Sequence, residues 1–489
     1  MTDSLGSLPE RRALILESST LSSPARLASG HAQTAEEVPA IHRIPTELIC
    51  EIFTLTLPFS RRVGDRFVEQ APWLLGHICQ EWRATAIACP LLWSTITLYA
   101  PPERWVGQAN PQMMIRTQLN RSGTAPLHVV LDSHHGDILE QCSVDSIDLV
   151  IEQCHRWETA RIDLHYTMGP RMGTRLARMK DRLPELRSLV LLTQQQQILG
   201  DILRDTFASA PRLQTILLSG HSDHPYSHSV SPKTRFPWAQ VTKFRVSYAH
   251  PQEFRAILTA LNPAHVVEMG MLTGHHPPQD ALHVVLPRLL RLSARHSLDY
   301  ITAPSLQELW VAGNFAVSLP NFIQRSACRL LKLVVYDCDE PPALTPVLQN
   351  LPALETFFVS FAHRSKFADQ ALLWSALNIQ TNINSNTKII CPKLTHVASG
   401  GTSHFSVDVV SFLEMVRSRY PSVAEPQGMG TPESYSRLSF ARVFYQLDKE
   451  NHIQGEDEQI EALRSEGLDI AQDSELIPSR HNYLGHDRP

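Results

Sequence analysis

The sequence has no Cys-x-x-Cys pair: its 8 cysteines, at positions 50, 79, 89, 142, 154, 328, 338 and 391, are never closer than ten residues apart. That spacing excludes the common zinc and dithiol motifs, and the expectation is buried thiols in a reducing compartment. Runs of Lys and Arg are also missing, and the formal net charge is -5 over 489 residues. The charge offers no basis for binding nucleic acid or acidic lipid. No stretch of 18 apolar residues occurs, and the Ser-rich N-terminal segment lacks the apolar run of a signal peptide. The reading is a cytoplasmic or nuclear protein without a membrane segment. A Gly-rich phosphate loop, Gly-x-Ser-x-Gly and His-Glu-x-x-His are all absent, so no motif argues for an enzyme and no cofactor is expected.

What is present is ordinary globular composition, 43% hydrophobic and 19% charged, which excludes a wholly disordered chain. Residues 1–40 hold few large apolar groups and read as a tail, with at most a transient helix around Ala13. From Ile41 the texture changes. Ile44-Pro45-Thr46-Glu47 puts a proline and an acid where a first helical turn favours them, and Leu48, Ile49, Ile52 and Phe53 then form one apolar face. A second helix is expected to carry Leu75, Ile78, Cys79, Trp82 and Ala86 on one face and to stop near Pro90.

Beyond Pro90 a short pattern recurs, apolar-x-x-apolar-x-apolar, the inward-facing part of a leucine-rich repeat. It begins at Trp93, Trp157, Leu186, Leu213, Val241, Val266, Leu289, Leu306, Leu330, Leu354, Leu394 and Phe440. From Leu186 most steps run 23–28 residues, with a step of 17 at Leu289–Leu306 and steps of 40 and 46 at the end. Pro184, Pro211, Pro287, Pro304, Pro352 and Pro392 each stand two residues before a pattern, where proline stops a helix and extends the chain. Helix-like stretches lie between: 194–208, 251–261, 343–351, 368–376 and 407–417. One strand and one helix cannot bury each other alone, so the units must stack. The expected fold is α/β, a small N-terminal helical module followed by an irregular solenoid with parallel strands on one side and helices on the other. Its parts are a tail over 1–40, the module over 41–93, the array over 94–472 and a tail over 473–489. Residues 456–467, with Leu468-Asp469-Ile470, read as a final helix and cap.

Residues 41–93 resemble the F-box. The matching features are Ile44-Pro45-x-Glu47-Leu48-x-x-x-Ile52-Phe53, then Ile78-Cys79-Gln80-Glu81-Trp82-Arg83, then Pro90-Leu91-Leu92-Trp93. In this order they are similar to the F-box-like proteins of mushroom-forming fungi. Arg121-Ser122-Gly123 through Pro126-Leu127 and the closing Glu466-Gly467-Leu468-Asp469-Ile470 resemble that group too. The resemblance implies binding to a Skp-type adaptor, and through it to a cullin scaffold and a ubiquitin-conjugating enzyme, with Pro45, Leu48, Ile49, Ile52, Leu75, Ile78 and Trp82 at the contact. It also implies that the array is a receptor for an unknown target protein, the catalysis belonging to the partners. A module of this size cannot bury all its apolar surface, in agreement with that reading. The competing reading is a protein-interaction scaffold that joins no ligase.

Within the array, the non-apolar positions of the strands face the concave surface, where solenoids commonly hold ligands. Arg187, Lys243, Arg245, Trp310 and Lys332 are the candidate target contacts, with Gln214, Gln307, Glu308, Glu355 and Thr356 at similar positions. His221, His224 and His228 have metal-like spacing but sit in a Pro/Ser-rich loop, and the doublets His134-His135 and His275-His276 are flanked by Gly or Pro, so no metal site is expected. Cys154-His155 reads as a buried cysteine at a helix end rather than as a nucleophile with its base.

Overall fold

The computed structural model describes residues 43–57, 71–99, 111–132, 144–164, 169–193, 203–220, 235–247, 251–272, 283–295, 297–313, 318–362, 364–384, 388–401, 407–420, 435–444 and 456–473. The chain divides into two compact units, residues 1–49 and 50–489. Of the first, residues 43–49 are described: Pro45 precedes helix α1 (Thr46–Leu55), and its carbonyl accepts from the Leu48 and Ile49 N–H groups at 3.0 and 3.1 Å.

The second unit is built on strands. In chain order they are β1 (Thr95–Tyr99), β2 (Leu127–Asp132), β3 (Trp157–Leu164), β4 (Ser188–Thr193), β5 (Thr215–Gly220), β6 (Lys243–Ser247), β7 (Glu268–Leu272) and β8 (Val284–Val285). There follow β9 (Arg291–Ala294), β10 (Ile301–Thr302), β11 (Glu308–Ala312), β12 (Lys332–Cys338), β13 (Thr356–Phe361), β14 (His396–Gly401), β15 (Phe440–Phe444) and β16 (Asp469–Asp473). Fourteen form one sheet in which each strand pairs in parallel with the next one along the chain, and β8 and β10 pair with each other outside it. That order is solenoid-like: every crossover adds one strand beside its predecessor. Register keeps the middle apolar residue of each pattern in a single row, and Ile96, Ile216, Phe244, Leu292, Leu333, Phe357 and Val397 are all buried there. Helices cover this row, among them α3 (Pro111–Arg121), α4 (Val144–Glu152), α5 (Gly169–Leu176), α6 (Pro251–Ala260), α7 (Ser318–Ser326), α8 (Leu344–Gln349), α9 (Phe367–Leu377), α10 (Ile379–Asn384), α11 (Val409–Arg419) and α12 (Glu456–Ser465). Val150, Leu176, Phe322, Leu348, Trp374, Phe412 and Leu463 from these helices join the strand row in one apolar core. Each such side chain contributes on the order of 1.5–3 kcal/mol by leaving water.

Several expectations are corrected. The second helix of the N-terminal module does not run through Leu75, Ile78 and Cys79. A single 3-10 turn covers Leu74–His77, and helix α2 (Gln80–Ala88) starts afresh behind an extended Cys79, whose Sγ accepts from the Trp82 N–H at 3.4 Å. The described end of the 194–208 stretch, residues 203–208, is a bend and turns rather than helix. Strand β2 falls outside the repeat pattern because its pairing with β3 shifts between Leu127 and His128. At the last pattern Phe440 pairs beside His396 in the outward row, and Leu438 and Ala441 take the buried places, since the small Ala441 disguises the period. Leu468-Asp469-Ile470 opens a further strand, β16, rather than only a cap.

The uneven steps have local solutions. In the 17-residue step there is no room for a helix. A 3-10 turn (Leu298–Tyr300) and the two-residue β10 replace it, burying Leu298, Ile301 and Ala303, while β9 and β11 pair directly. The 40-residue step holds two helices, α9 and α10. Two arginines, Arg325 half-buried and Arg419 buried, close the turns between repeats. Arg325 donates to the Leu298 and Ile301 carbonyls, and Arg419, fully buried, donates to those of Leu377, Cys391 and Ile390 at 2.9, 3.1 and 2.6 Å. Loss of hydration lowers the Arg419 pKa to about 10. The guanidinium's five donors suit several acceptors at once, and they reach the Leu377 and Ile390 carbonyls as well as the Cys391 and Leu298 carbonyls that also accept from the Leu394 and Ile301 N–H groups.

Candidate functional site

Helix α1 has two sides. Ile49 and Phe53, one turn apart, are buried at 5% and 1% exposure, whereas Leu48 and Ile52 are 50% and 47% exposed and Leu55 more so. Phe53 meets Trp82 of α2 with ring centroids 4.9 Å apart. Leu75 is buried at 5%, while Ile78 is 54% exposed and Leu74, Ile87 and Leu91 also face water. The anticipated contact set therefore splits. Pro45, Leu48, Ile52 and Ile78 are exposed and Trp82 is half-buried, but Ile49 and Leu75 are buried. Half of the exposed large hydrophobic side chains among the described residues lie between Leu48 and Leu91.

The end of this segment is packed around tryptophans. Trp93 is buried; its Nε1–H donates to the Ala86 carbonyl at 2.7 Å, and its ring meets that of Trp73 edge-on at 5.0 Å. The Arg121 guanidinium lies 4.4 Å from the Trp93 ring centroid, and desolvation there lowers its pKa. Trp157 repeats the device, donating to the Val150 carbonyl seven residues earlier.

On the array, the outward face of the sheet carries a row of charge. Lys243, Glu268, Arg291, Glu308 and Lys332 are register partners on the adjacent strands β6, β7, β9, β11 and β12. Arg291 reaches Glu268 at 3.7 Å and Glu308 at 3.2 Å, and Lys332 reaches Glu308 at 4.0 Å. In the next row Arg245 pairs with Glu268 at 3.6 Å, lying across Gly270, where a Cβ would come within 2.5 Å of the Arg245 Cγ. Lys332 Nζ stands 5.1 Å from the centroid of the half-buried Trp310 ring. Four of the five candidate target contacts thus share one face. The fifth, Arg187, precedes β4 and pairs with Glu158 at 3.3 Å, outside the row. Glu268 and Arg291 were missed in sequence. The signal that finds them is positional: each stands immediately before the middle apolar residue of its pattern, as do Lys243, Glu308 and Lys332.

The remaining candidates carry little chemistry. Cys154 is fully buried, its Sγ donating to the Arg182 carbonyl, and burial raises its pKa, the opposite of what a nucleophilic thiol requires. A groove of about 660 Å³ lined by Pro320, Ile323, Cys328, Leu330, Val347 and Leu351 contains a thiol that burial pushes up to about 11. His134, His135, His221, His224, His228, His275 and His276 lie outside the described residues, as do the tail over 1–40 and, beyond Asp473 at the end of β16, the tail over 473–489. Among the described residues no cluster of His, Cys, Asp and Glu could hold a metal, and no helix is long and apolar enough to cross a membrane. Neither any known family nor any curated protein matches this chain.

Proposed function

We propose that this chain is the substrate-recognition subunit of a Skp-cullin-F-box type ubiquitin ligase, acting in the cytoplasm or nucleus. The residues up to Trp93 would be the F-box, and the strands behind them a degenerate leucine-rich-repeat array that holds the target protein. The observation that carries this reading is the concentration of exposed apolar side chains, Leu48, Ile52 and Ile78 foremost, in the segment that resembles the F-box. A hydrophobic partner surface would bury the exposed half of each, worth on the order of 1 kcal/mol apiece. In this reading Pro45, Leu48, Ile52 and Ile78 touch the adaptor, while Ile49, Phe53 and Leu75 hold the helices in position. The chain then performs no chemistry itself. It brings a target lysine near a charged conjugating enzyme, and the rate gain comes from proximity.

The test is co-purification of the full chain with a Skp-type adaptor, beside an Ile52→Asp, Ile78→Asp double variant. Both positions are exposed, so the variant should fold. Capture by the wild type and its loss in the variant are the expected results. A folded wild type that captures no adaptor would leave a scaffold built on the array.

A further inference from the structure

We propose that the outward face of the sheet between β6 and β12 binds an acidic, proline-rich segment of a partner protein, laid across the strands as a polyproline II helix. The proposal rests on the array being the target-holding part and is independent of the adaptor.

The row Lys243, Glu268, Arg291, Glu308, Lys332 alternates in sign. Its cations stand further into water than its acids: the Arg291 and Lys332 side chains are 50% and 40% exposed and Lys243 is exposed, against 25% and 27% for Glu268 and Glu308. A ligand therefore meets the cations first. With three cations to two carboxylates the row keeps a positive excess on a chain whose formal charge is -5. The carboxylates also hold Arg291 and Lys332 in place, which lowers the ordering cost of binding.

The spacing selects the conformation of the ligand. Adjacent strands stand about 4.8 Å apart, so the three cations, two strands apart each, repeat roughly every 9.6 Å. An extended strand returns a side chain to one face about every 6.8 Å and falls out of step. Polyproline II, with three residues per turn and a rise of about 3.1 Å, returns one about every 9.3 Å and stays in step. The chemistry that fits is an acidic residue at every third position. Trp310 stands on β11 in the row beside these charges and offers the aromatic face on which proline rings dock.

The experiment is fluorescence anisotropy of the full chain with a labelled peptide of Pro-Pro-Glu triplets. The comparison peptides are Pro-Pro-Gln triplets and an α-helical peptide of equal negative charge. The triplet glutamate peptide should bind roughly tenfold tighter than either, and an Arg291→Gln, Lys332→Gln double variant should lose roughly that factor. Lys388→Gln, exposed and off the sheet, should lose nothing. If the double variant melts lower than wild type, Lys243→Gln replaces it, because Lys243 makes no ion pair among the described residues. Equal binding of the helical or uncharged peptide, or undiminished binding by a folded variant, overturns the proposal. Adaptor capture is measured on the same preparations, so failure here with capture intact leaves the ligase reading standing.

Discussion

The helical segment from Pro45 to Trp93 and the strand array from Thr95 to Asp473 treat apolar side chains in opposite ways. In the array nearly every large apolar residue of the pattern points into one core, and Ile216, Leu292 and Leu333 are fully buried. Each unit covers the apolar face of the next, so the requirement is met within the chain. In the helical segment Leu48, Ile52, Leu55, Leu74, Ile78, Ile87 and Leu91 remain in water although Phe53, Leu75, Leu92 and Trp93 already supply a core. What separates the regions is therefore the direction of burial rather than hydrophobic content, and substitutions should sort accordingly: stability in the array, association in the segment.

The largest expected effect is in the array. Trp374 is fully buried and its ring centroid lies 5.1 Å from that of Phe412, 6.0 Å from that of Phe361 and 6.4 Å from that of Phe357, joining α9 to α11 and β13. Trp374→Ala should cost about 3–5 kcal/mol, read as a lower denaturant midpoint, with no change in adaptor capture by the protein that remains folded. Arg419→Met follows. It takes the donor from the Leu377 and Ile390 carbonyls and leaves the Cys391 carbonyl only the Leu394 N–H, and about 2–3 kcal/mol should be lost. A variant with wild-type stability would show that water can replace the guanidinium. Within the N-terminal segment, Trp93→Phe removes the hydrogen bond to Ala86 and weakens the Arg121 contact, for about 1–2 kcal/mol.

Buried thiols give a pH test of the same contrast. Desolvation pushes Cys338 and Cys391 up to about 12, in the second case against the opposing pull of Arg419. Unfolded thiols ionise near about 8.5. Above that value the folded chain binds more protons than the unfolded one, so stability should fall as pH rises, and should be indifferent to these groups below it. The trend is cleanest between about 8.5 and 10, because Arg419, depressed to about 10, contributes the opposite sign beyond that point. Melting temperatures over this window check it. A flat profile would mean that the two thiols reach solvent. Thiol labelling sharpens the result: Cys50 and Cys79, partly exposed, should react in the native protein, and Cys338 and Cys391 only after unfolding.

The array was legible because its period is carried by large residues at fixed offsets. Leu213-x-x-Ile216-x-Leu218 and its relatives leave one way to bury three side chains in a strand. Where small residues take those places the period fades, as at Ala441, and where the register slips, as at Leu127, no pattern remains to be read. Helix α1 was legible for the same reason, but its inward and outward sides were not. Ile49 and Ile52 are chemically alike, yet one is buried and the other half exposed. The break at Cys79 escaped because a thiol standing as a helix cap is rare beside Ser, Thr, Asp and Asn. The charge row was hidden in sequence because its members lie 17 to 25 residues apart and become neighbours only through strand register.

The smallest expected change in stability separates the two regions most sharply. Ile52→Ser and Ile78→Ser alter side chains that are already half in water, and each should shift folding stability by less than about 0.5 kcal/mol. Neither residue touches the array's core cluster, so the triplet peptide should bind as it does to wild type. Adaptor capture should nevertheless fall together with each substitution, since the same methyl groups that contribute nothing to the folded chain would be the ones a partner buries. A stability loss comparable to Trp93→Phe would show that these side chains pack within the protein after all, and retained capture in both variants would place the adaptor surface elsewhere.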